Sequence, residues 1–145
     1  MGSPERDSAW MQDVEIRIHA SPAHLSVVRT VATTMAIRAN FDPETVADVK
    51  LAVDEACSLL IGRAVDGAEI RCRCHVDLSE LRFSATVLSR SVWVPEPSSL
   101  CWRLISALSH SALTWVERLG VKRDGARTAG QLLHVELRRR RANVT

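Results

Sequence analysis

Apolar and polar residues alternate in five segments of the chain, and this alternation predicts five half-buried β-strands. In the first segment Val14, Ile16 and Ile18 share one face, with charged residues between them. Two alternating segments separated by a short turn predict a hairpin. The five predicted strands cover residues 13–20, 68–76 and 81–87, a short stretch at 115–119, and residues 133–137.

Apolar residues recur at three- and four-residue steps in three other segments, which predicts amphipathic helices. Ser21 and Asp42 are each followed by proline, a combination typical of a helix start. We expect the first helix to end near Ala39 and the second at Gly62. The third helix is expected over residues 100–113, with an inward stripe of Leu100, Leu104, Leu108 and Ala112.

The resulting element order is β-α-α-β-β-α-β-β. Adjacent hairpins favour antiparallel pairing, and the helices must cover the apolar face of the sheet. We therefore predict an α/β (α+β) fold, a two-layer sandwich in which three helices cover one face of a mostly antiparallel sheet. The expected organisation is a flexible leader at 1–12, one domain at 13–138 and a basic tail at 139–145.

Composition narrows the function classes. A net charge of +2 is too small to indicate a nucleic-acid partner, and the run Arg138–Arg141 is expected to be a solvated end. No apolar run reaches the roughly 20 residues of a membrane span, and the N-terminus lacks a signal pattern. We therefore expect a cytoplasmic protein with reduced cysteines. The histidines show no metal-ligand spacing, so no metal site is expected.

Residues 47–61, ADVKLAVDEACSLLI, carry the most informative pattern. They resemble the second helix of the anti-sigma-factor serine kinases of the RsbW and SpoIIAB type, which have the GHKL ATPase (Bergerat) fold and the pattern D-(l/i)-x-(l/v)-A-V-x-E-A-C-x-N. The first helix is similar too, with Arg29 at the family's arginine position. The matching positions are Asp48, Val49, Leu51, Ala52, Val53, Glu55, Ala56 and Cys57.

The resemblance implies ATP and Mg²⁺ as cofactors, with a glutamate base and an asparagine that helps hold the metal. Glu55 occupies the base position, but Leu59 replaces the asparagine and has no oxygen for Mg²⁺. Residues 86–99 contain neither aspartate nor glycine, although a D-x-G-x-G turn is expected there. Glu55 is therefore expected to be vestigial. Residual nucleotide contacts would come from Asp54, Glu55 and Leu100.

The resemblance implies an anti-sigma factor that sequesters an alternative, stress-type sigma factor. A STAS-type anti-anti-sigma protein would counter it, and the chain would form a homodimer. The expected partner contacts are Arg29, then Arg17 and Arg38, with Trp93 as an exposed anchor. The alternative is an active serine kinase or ATPase that phosphorylates its antagonist. A basic nucleic-acid-binding module is a third reading.

Overall fold

The computed structural model describes residues 12–89, 95–119 and 130–141. These residues contain a five-stranded antiparallel sheet with the strand order β1-β2-β3-β5-β4. The strands are β1 (Gln12–His19), β2 (Glu69–Val76), β3 (Glu80–Ser89), β4 (Ser111–Arg118) and β5 (Gln131–Arg140). The helices are α1 (Leu25–Arg38), α2 (Pro43–Ile61) and α3 (Leu100–Ala107).

The layering confirms the predicted two-layer fold and the predicted element order. Successive side chains of a strand point to opposite faces, so Ile70, Phe83 and Val135 are buried on one face of the sheet. The three helices contribute to the same core, and α2 lies at its centre, in contact with α1, α3, β3 and β5. The opposite face carries charged residues such as Arg71. None of the helices in the described ranges is long and apolar enough to cross a membrane.

Side-chain caps begin the first two helices, as predicted. The Ser21 hydroxyl accepts a hydrogen bond from the amide of Ala23 at 3.4 Å, in a short 3-10 turn that leads into α1. The Asp42 carboxylate accepts one from the amide of Thr45 at 3.1 Å and one from its hydroxyl at 2.6 Å. These bonds satisfy donors that the first turn of a helix leaves unpaired.

The third helix is shorter than predicted. It ends at Ala107, and the last residues of the expected helix begin β4 instead. The amide of His110 donates to the carbonyl of Arg138 at 2.8 Å, and Ser111–Arg118 then pairs along the whole of its length with β5. A continuous ladder of backbone hydrogen bonds with a central strand thus overrides the local helical pattern.

The predicted inward stripe of the third helix is wrong at Leu100, whereas Leu108 and Ala112 pack against the core as predicted. Leu100 is 83% exposed, whereas Ile105 is fully buried. Cys101, Trp102 and Leu108 are partly buried against the core.

The last strand extends two residues beyond the expected domain boundary at 138. Arg139 forms an ion pair with Asp48 of α2 at 3.1 Å and donates to the carbonyl of Leu108, the residue that caps α3, at 3.0 Å. Arg141 donates to the backbone carbonyls of Ala39 and Leu78. These arginines belong to the folded body rather than to a solvated tail.

Candidate functional site

Helix α2 presents two adjacent carboxylates to two different neighbours. Successive helix residues differ in direction by about 100°, so Asp54 and Glu55 face different elements. Asp54 accepts a hydrogen bond from Arg29 of α1, whereas Glu55 meets Cys101 of α3. The two carboxylates therefore do not act as one acidic pair.

The first turn of α3 lies directly against Glu55. The Cys101 thiol is 3.5 Å from Glu55 Oε2 and 3.8 Å from the Glu55 carbonyl oxygen, and it acts as the donor to both. Burial raises the pKa of Cys101 to about 11, and the hydrogen bond to Glu55 contributes in the same direction. The side chain at the family's base position is thus already engaged by a neutral thiol.

The start of α3 is held by its own cap and by the core. The Ser99 hydroxyl accepts a hydrogen bond from the Trp102 amide at 3.3 Å. One turn further, Ile105 is fully buried. Because both ends of this first turn are fixed, Cys101 is placed against α2 by the fold and not by a loose surface contact.

The other expected nucleotide contacts do not come together around Glu55. Leu59 packs against the core as a partly buried apolar side chain. Leu100 points to solvent, with 83% of its surface exposed. Mg²⁺ requires oxygen ligands in near-octahedral geometry, and neither leucine provides one. The residues present around Glu55 therefore do not fit a Mg²⁺-ATP site.

Among the predicted partner contacts that the structure describes, Arg29 forms an ion pair with Asp54 of α2. Its Nη1 lies 3.0 Å from Asp54 Oδ2, and the two side chains are 37% and 24% exposed. The second carboxylate oxygen of Asp54 is buried and lacks a hydrogen-bond partner among the described residues. The spacing of residues along the chain does not connect the two side chains, because they lie 25 positions apart.

The remaining predicted partner contacts lie on different surfaces. Arg17 is on the sheet face opposite the helices, where its Nε lies 3.3 Å from Glu15 Oε1. Arg38 is exposed at the end of α1, on the same helix as Arg29. Trp93 lies outside the described residues. The structure therefore separates Arg17 from the two arginines of α1.

No cluster of three or more possible metal ligands occurs in the ranges that the structure describes. Cys57, Cys72, Cys74 and Cys101 are free thiols. A hydrogen bond to Cys72 and burial both hold the pKa of Cys57 well above its usual range. Cys57, Cys72 and Cys74 are buried as small apolar core residues, whereas Cys101 is half-buried and contacts Glu55.

The chain is similar to known proteins over most of its length. The sequence profile of the histidine kinase-like ATPase domain matches residues 18–101. The chain is 30% identical over 129 residues to the anti-sigma-F factor RsbW of Mycobacterium tuberculosis, in strains CDC 1551 / Oshkosh and H37Rv, covering 89% of this chain and 74% of the relative. The chain belongs to the RsbW family of histidine kinase-like ATPase domains.

One solved structure is also similar, at a lower sequence identity. The mycobacterial sensor histidine kinase MprB overlaps 88% of this RsbW-family chain and 100% of its own chain, with a TM-score of 0.42 and 12% sequence identity.

Proposed function

We propose that this protein is an anti-sigma factor, which binds an alternative sigma factor and keeps it from RNA polymerase. The observation that carries the proposal is the similarity to the anti-sigma-F factor RsbW of M. tuberculosis, which extends over 89% of the chain. The similarity includes α2 and its neighbours, which form the centre of the described fold.

The proposed function includes an antagonist protein, an oligomeric state and a cellular compartment. A STAS-type anti-anti-sigma protein competes for an overlapping surface and releases the sigma factor, so relative affinities set the switch. Every difference of about 1.4 kcal/mol in binding free energy changes the dissociation constant tenfold. The protein acts as a homodimer in the cytoplasm. The stress-type identity of the sigma factor follows the same resemblance.

The alternative, an active serine kinase, is not favoured. Phosphoryl transfer requires a metal ion that neutralises charge at the transferring group. The family asparagine is Leu59, a partly buried apolar side chain, and Glu55 is engaged by Cys101. Release of the sigma factor is therefore governed by competition between proteins.

The function is tested by mixing the purified protein with each alternative sigma factor of the organism that produces it. We expect one sigma factor to form a stable complex in size-exclusion chromatography. Adding the protein should then inhibit run-off transcription by polymerase with that sigma factor, and should leave transcription with the housekeeping sigma factor unchanged. Absence of any complex, or transfer of phosphate from ATP to a STAS protein, would contradict the proposal.

Arg29 is the proposed partner contact. Replacing it in the Arg29→Ala variant should weaken sigma-factor binding at least tenfold, because arginine pairs with carboxylates through several donors. Arg73→Ala is the matched control, since Arg73 lies on the sheet face opposite the helices and also pairs with a carboxylate, that of Asp13. Both dissociation constants are measured by calorimetry, and both melting temperatures are compared. Equal binding by the two variants would remove Arg29 from the interface.

A further inference from the structure

Five side chains form one row across the sheet, on the face opposite the helices. Arg17 of β1 is paired with Arg71 of β2, and Arg71 is paired with Thr86 of β3. Thr86 is paired in turn with His134 of β5, and His134 with Trp115 of β4. Neighbouring strands lie about 4.8 Å apart, so the row from Arg17 to Trp115 spans about 19 Å. Positive charge therefore lies at one end of the row and an aromatic pair at the other.

The two arginines at the positive end stand directly opposite each other, an arrangement that destabilises an antiparallel pair of strands. Arg17 uses its Nε for Glu15 Oε1 at 3.3 Å, and its side chain remains 63% exposed. Arg71 is exposed and forms no ion pair or side-chain hydrogen bond with the residues that the structure describes. An anion bound by both guanidinium groups would remove the repulsion and use their free donors.

The aromatic end of the row is held in place by hydrogen bonds. His134 Nε2 lies 3.1 Å from Glu117 Oε2, and this nitrogen donates because an ionised carboxylate can only accept. In the neutral ring Nδ1 then accepts from the Thr86 hydroxyl at 2.8 Å. The Trp115 indole stacks on this imidazole, with ring centroids 4.9 Å apart and planes inclined by 10°. The indole therefore has a fixed support although Trp115 is 41% exposed.

An open cavity of about 360 Å³ connects the two ends of the row. All five side chains of the row contribute to its lining. This volume lies in the range of about 300–1,000 Å³ that small-molecule sites occupy. Arg71 and Trp115 are separated by three strand spacings, about 14 Å between their backbones. A ligand that contacts both side chains must therefore carry its charge and its ring several bonds apart.

Acidic residues limit the kind of anion that this face accepts. Glu15 and Glu136 also line the cavity. Each is paired with an arginine of its own strand, Glu15 with Arg17 and Glu136 with Arg138 at 3.2 Å. A long polyanion would meet these carboxylates along the face, whereas a single anionic group beside Arg71 would not. The charge pattern therefore favours a small molecule over a nucleic-acid strand.

We propose that this face of the sheet binds a small organic phosphate that carries a planar ring. Arg71 and Arg17 bind the phosphate, since a guanidinium group matches phosphate oxygens with two parallel hydrogen bonds. Trp115 contacts the planar ring, and the hydrogen bonds of Thr86 and His134 keep the indole in place. The site lies on the side of the sheet away from α2, so it does not depend on the proposed function.

The first experiment titrates the protein into flavin mononucleotide, whose planar ring and phosphate are joined by a flexible chain. Stacking on an indole quenches flavin fluorescence, so the signal reports contact with the ring. We expect saturable quenching with a dissociation constant below about 1 mM. Riboflavin, which lacks the phosphate, should bind at least tenfold more weakly. Equal binding of the two flavins, or no saturable quenching, would overturn the proposal.

The second experiment repeats both titrations with the Arg71→Gln and Trp115→Leu variants. Arg71→Gln should weaken binding of flavin mononucleotide at least tenfold and leave riboflavin binding unchanged, because it removes only the charge. Trp115→Leu should weaken binding of both flavins. Arg103→Gln is the matched control, since it removes the same charge from an exposed position of α3. Melting temperatures of all variants are compared, and equal loss in Arg71→Gln and Arg103→Gln would indicate general charge attraction and overturn the site.

Two other results would assign this face to a different occupant, and each would overturn the proposal. Displacement of the flavin by a thymidine oligonucleotide at a lower concentration than by thymidine monophosphate would indicate a nucleic-acid surface. Loss of flavin binding as the protein concentration increases would indicate that a second copy of this chain covers the face. Sigma-factor binding is measured separately, so a failure of the proposed function leaves the flavin titrations decisive.

Discussion

The carboxylates of Glu55 and Asp54 lie on two sides of α2 and have different neighbours. On one side Glu55 is closed in by the first turn of α3 and accepts a hydrogen bond from Cys101. On the other side Asp54 binds Arg29 at the edge of an open, positively charged groove. The side that would serve nucleotide chemistry is occupied by protein, and the side that faces solvent keeps its charges. Helix α2 therefore packs against α3 on one side and borders a groove lined by Arg29 and Lys50 on the other.

The largest expected effect tests whether α3 closes the Glu55 side through core packing. Ile105→Ala removes the fully buried side chain of α3 and should lower the free energy of unfolding by about 2–5 kcal/mol, because it leaves a cavity. Leu100→Ala on the same helix should change it by less than about 0.5 kcal/mol, since Leu100 is 83% exposed. Urea denaturation of both variants is the measurement. Similar values for the two would mean that α3 does not rest on the core.

The next effect concerns the far end of α3. Arg139→Met removes the ion pair with Asp48 and the hydrogen bond to Leu108, so we expect a loss of about 1–3 kcal/mol in the free energy of unfolding. Arg103→Met, at an exposed position of α3, should change it by less than about 0.5 kcal/mol. Thermal and urea unfolding are compared. An unchanged free energy of unfolding in Arg139→Met would show that the contacts of Arg139 with Asp48 and Leu108 do not hold the end of α3 in place.

A smaller effect reports on the contact between Glu55 and Cys101. Cys101 has a raised pKa of about 11, whereas an ordinary thiol has a pKa of 9.0. At pH 8 the fraction of Cys101 present as thiolate is therefore roughly a hundredfold smaller than that of an ordinary thiol. Glu55→Gln removes the charge that disfavours the thiolate, so alkylation of Cys101 by iodoacetamide at pH 8 should speed up several-fold. Mass spectrometry of the labelled peptide gives the rate. An unchanged rate would mean that the two side chains are not in contact in solution.

The same raised pKa gives stability a definite pH dependence. The Cys101 thiol loses its proton at a lower pH in the unfolded chain than in the folded one. Its contribution to the free energy of unfolding is therefore fully present below about pH 9. It should then decline as the pH rises from about 9 to about 11. In Glu55→Gln this decline should be shallower.

The smallest expected effect is none at all. Leu59→Asn restores the family's metal-binding residue type, but Glu55 remains engaged by Cys101. Calorimetric titration with ATP and Mg²⁺ should therefore give no Mg²⁺-dependent heat in the unmodified protein or in the variant. Micromolar, Mg²⁺-dependent ATP binding by either protein would show that Cys101 does not prevent Glu55 from taking part in a nucleotide site. The kinase alternative would then become the leading one.

Parts of this fold could be predicted because their cause is local. The alternation of residues 68–76 and 81–87 predicted the two strands of the hairpin, which the structure places at 69–76 and 80–89. The caps at Ser21 and Asp42 predicted the starts of two helices. Residues 100–113 misled the prediction, since their apolar spacing suits a helix throughout. Only the ladder with β5 converts the last of these residues into a strand.

The sequence by itself determined the element order, the two-layer class and the family, because periodicity, caps and the pattern in residues 47–61 are properties of consecutive residues. Tertiary structure alone decided that Glu55 meets Cys101, that Asp54 meets Arg29 and that Arg139 meets Asp48. Each pair joins two elements that are distant along the chain. Local spacing fixes the direction in which a side chain points, but the packing of elements fixes which side chain it meets.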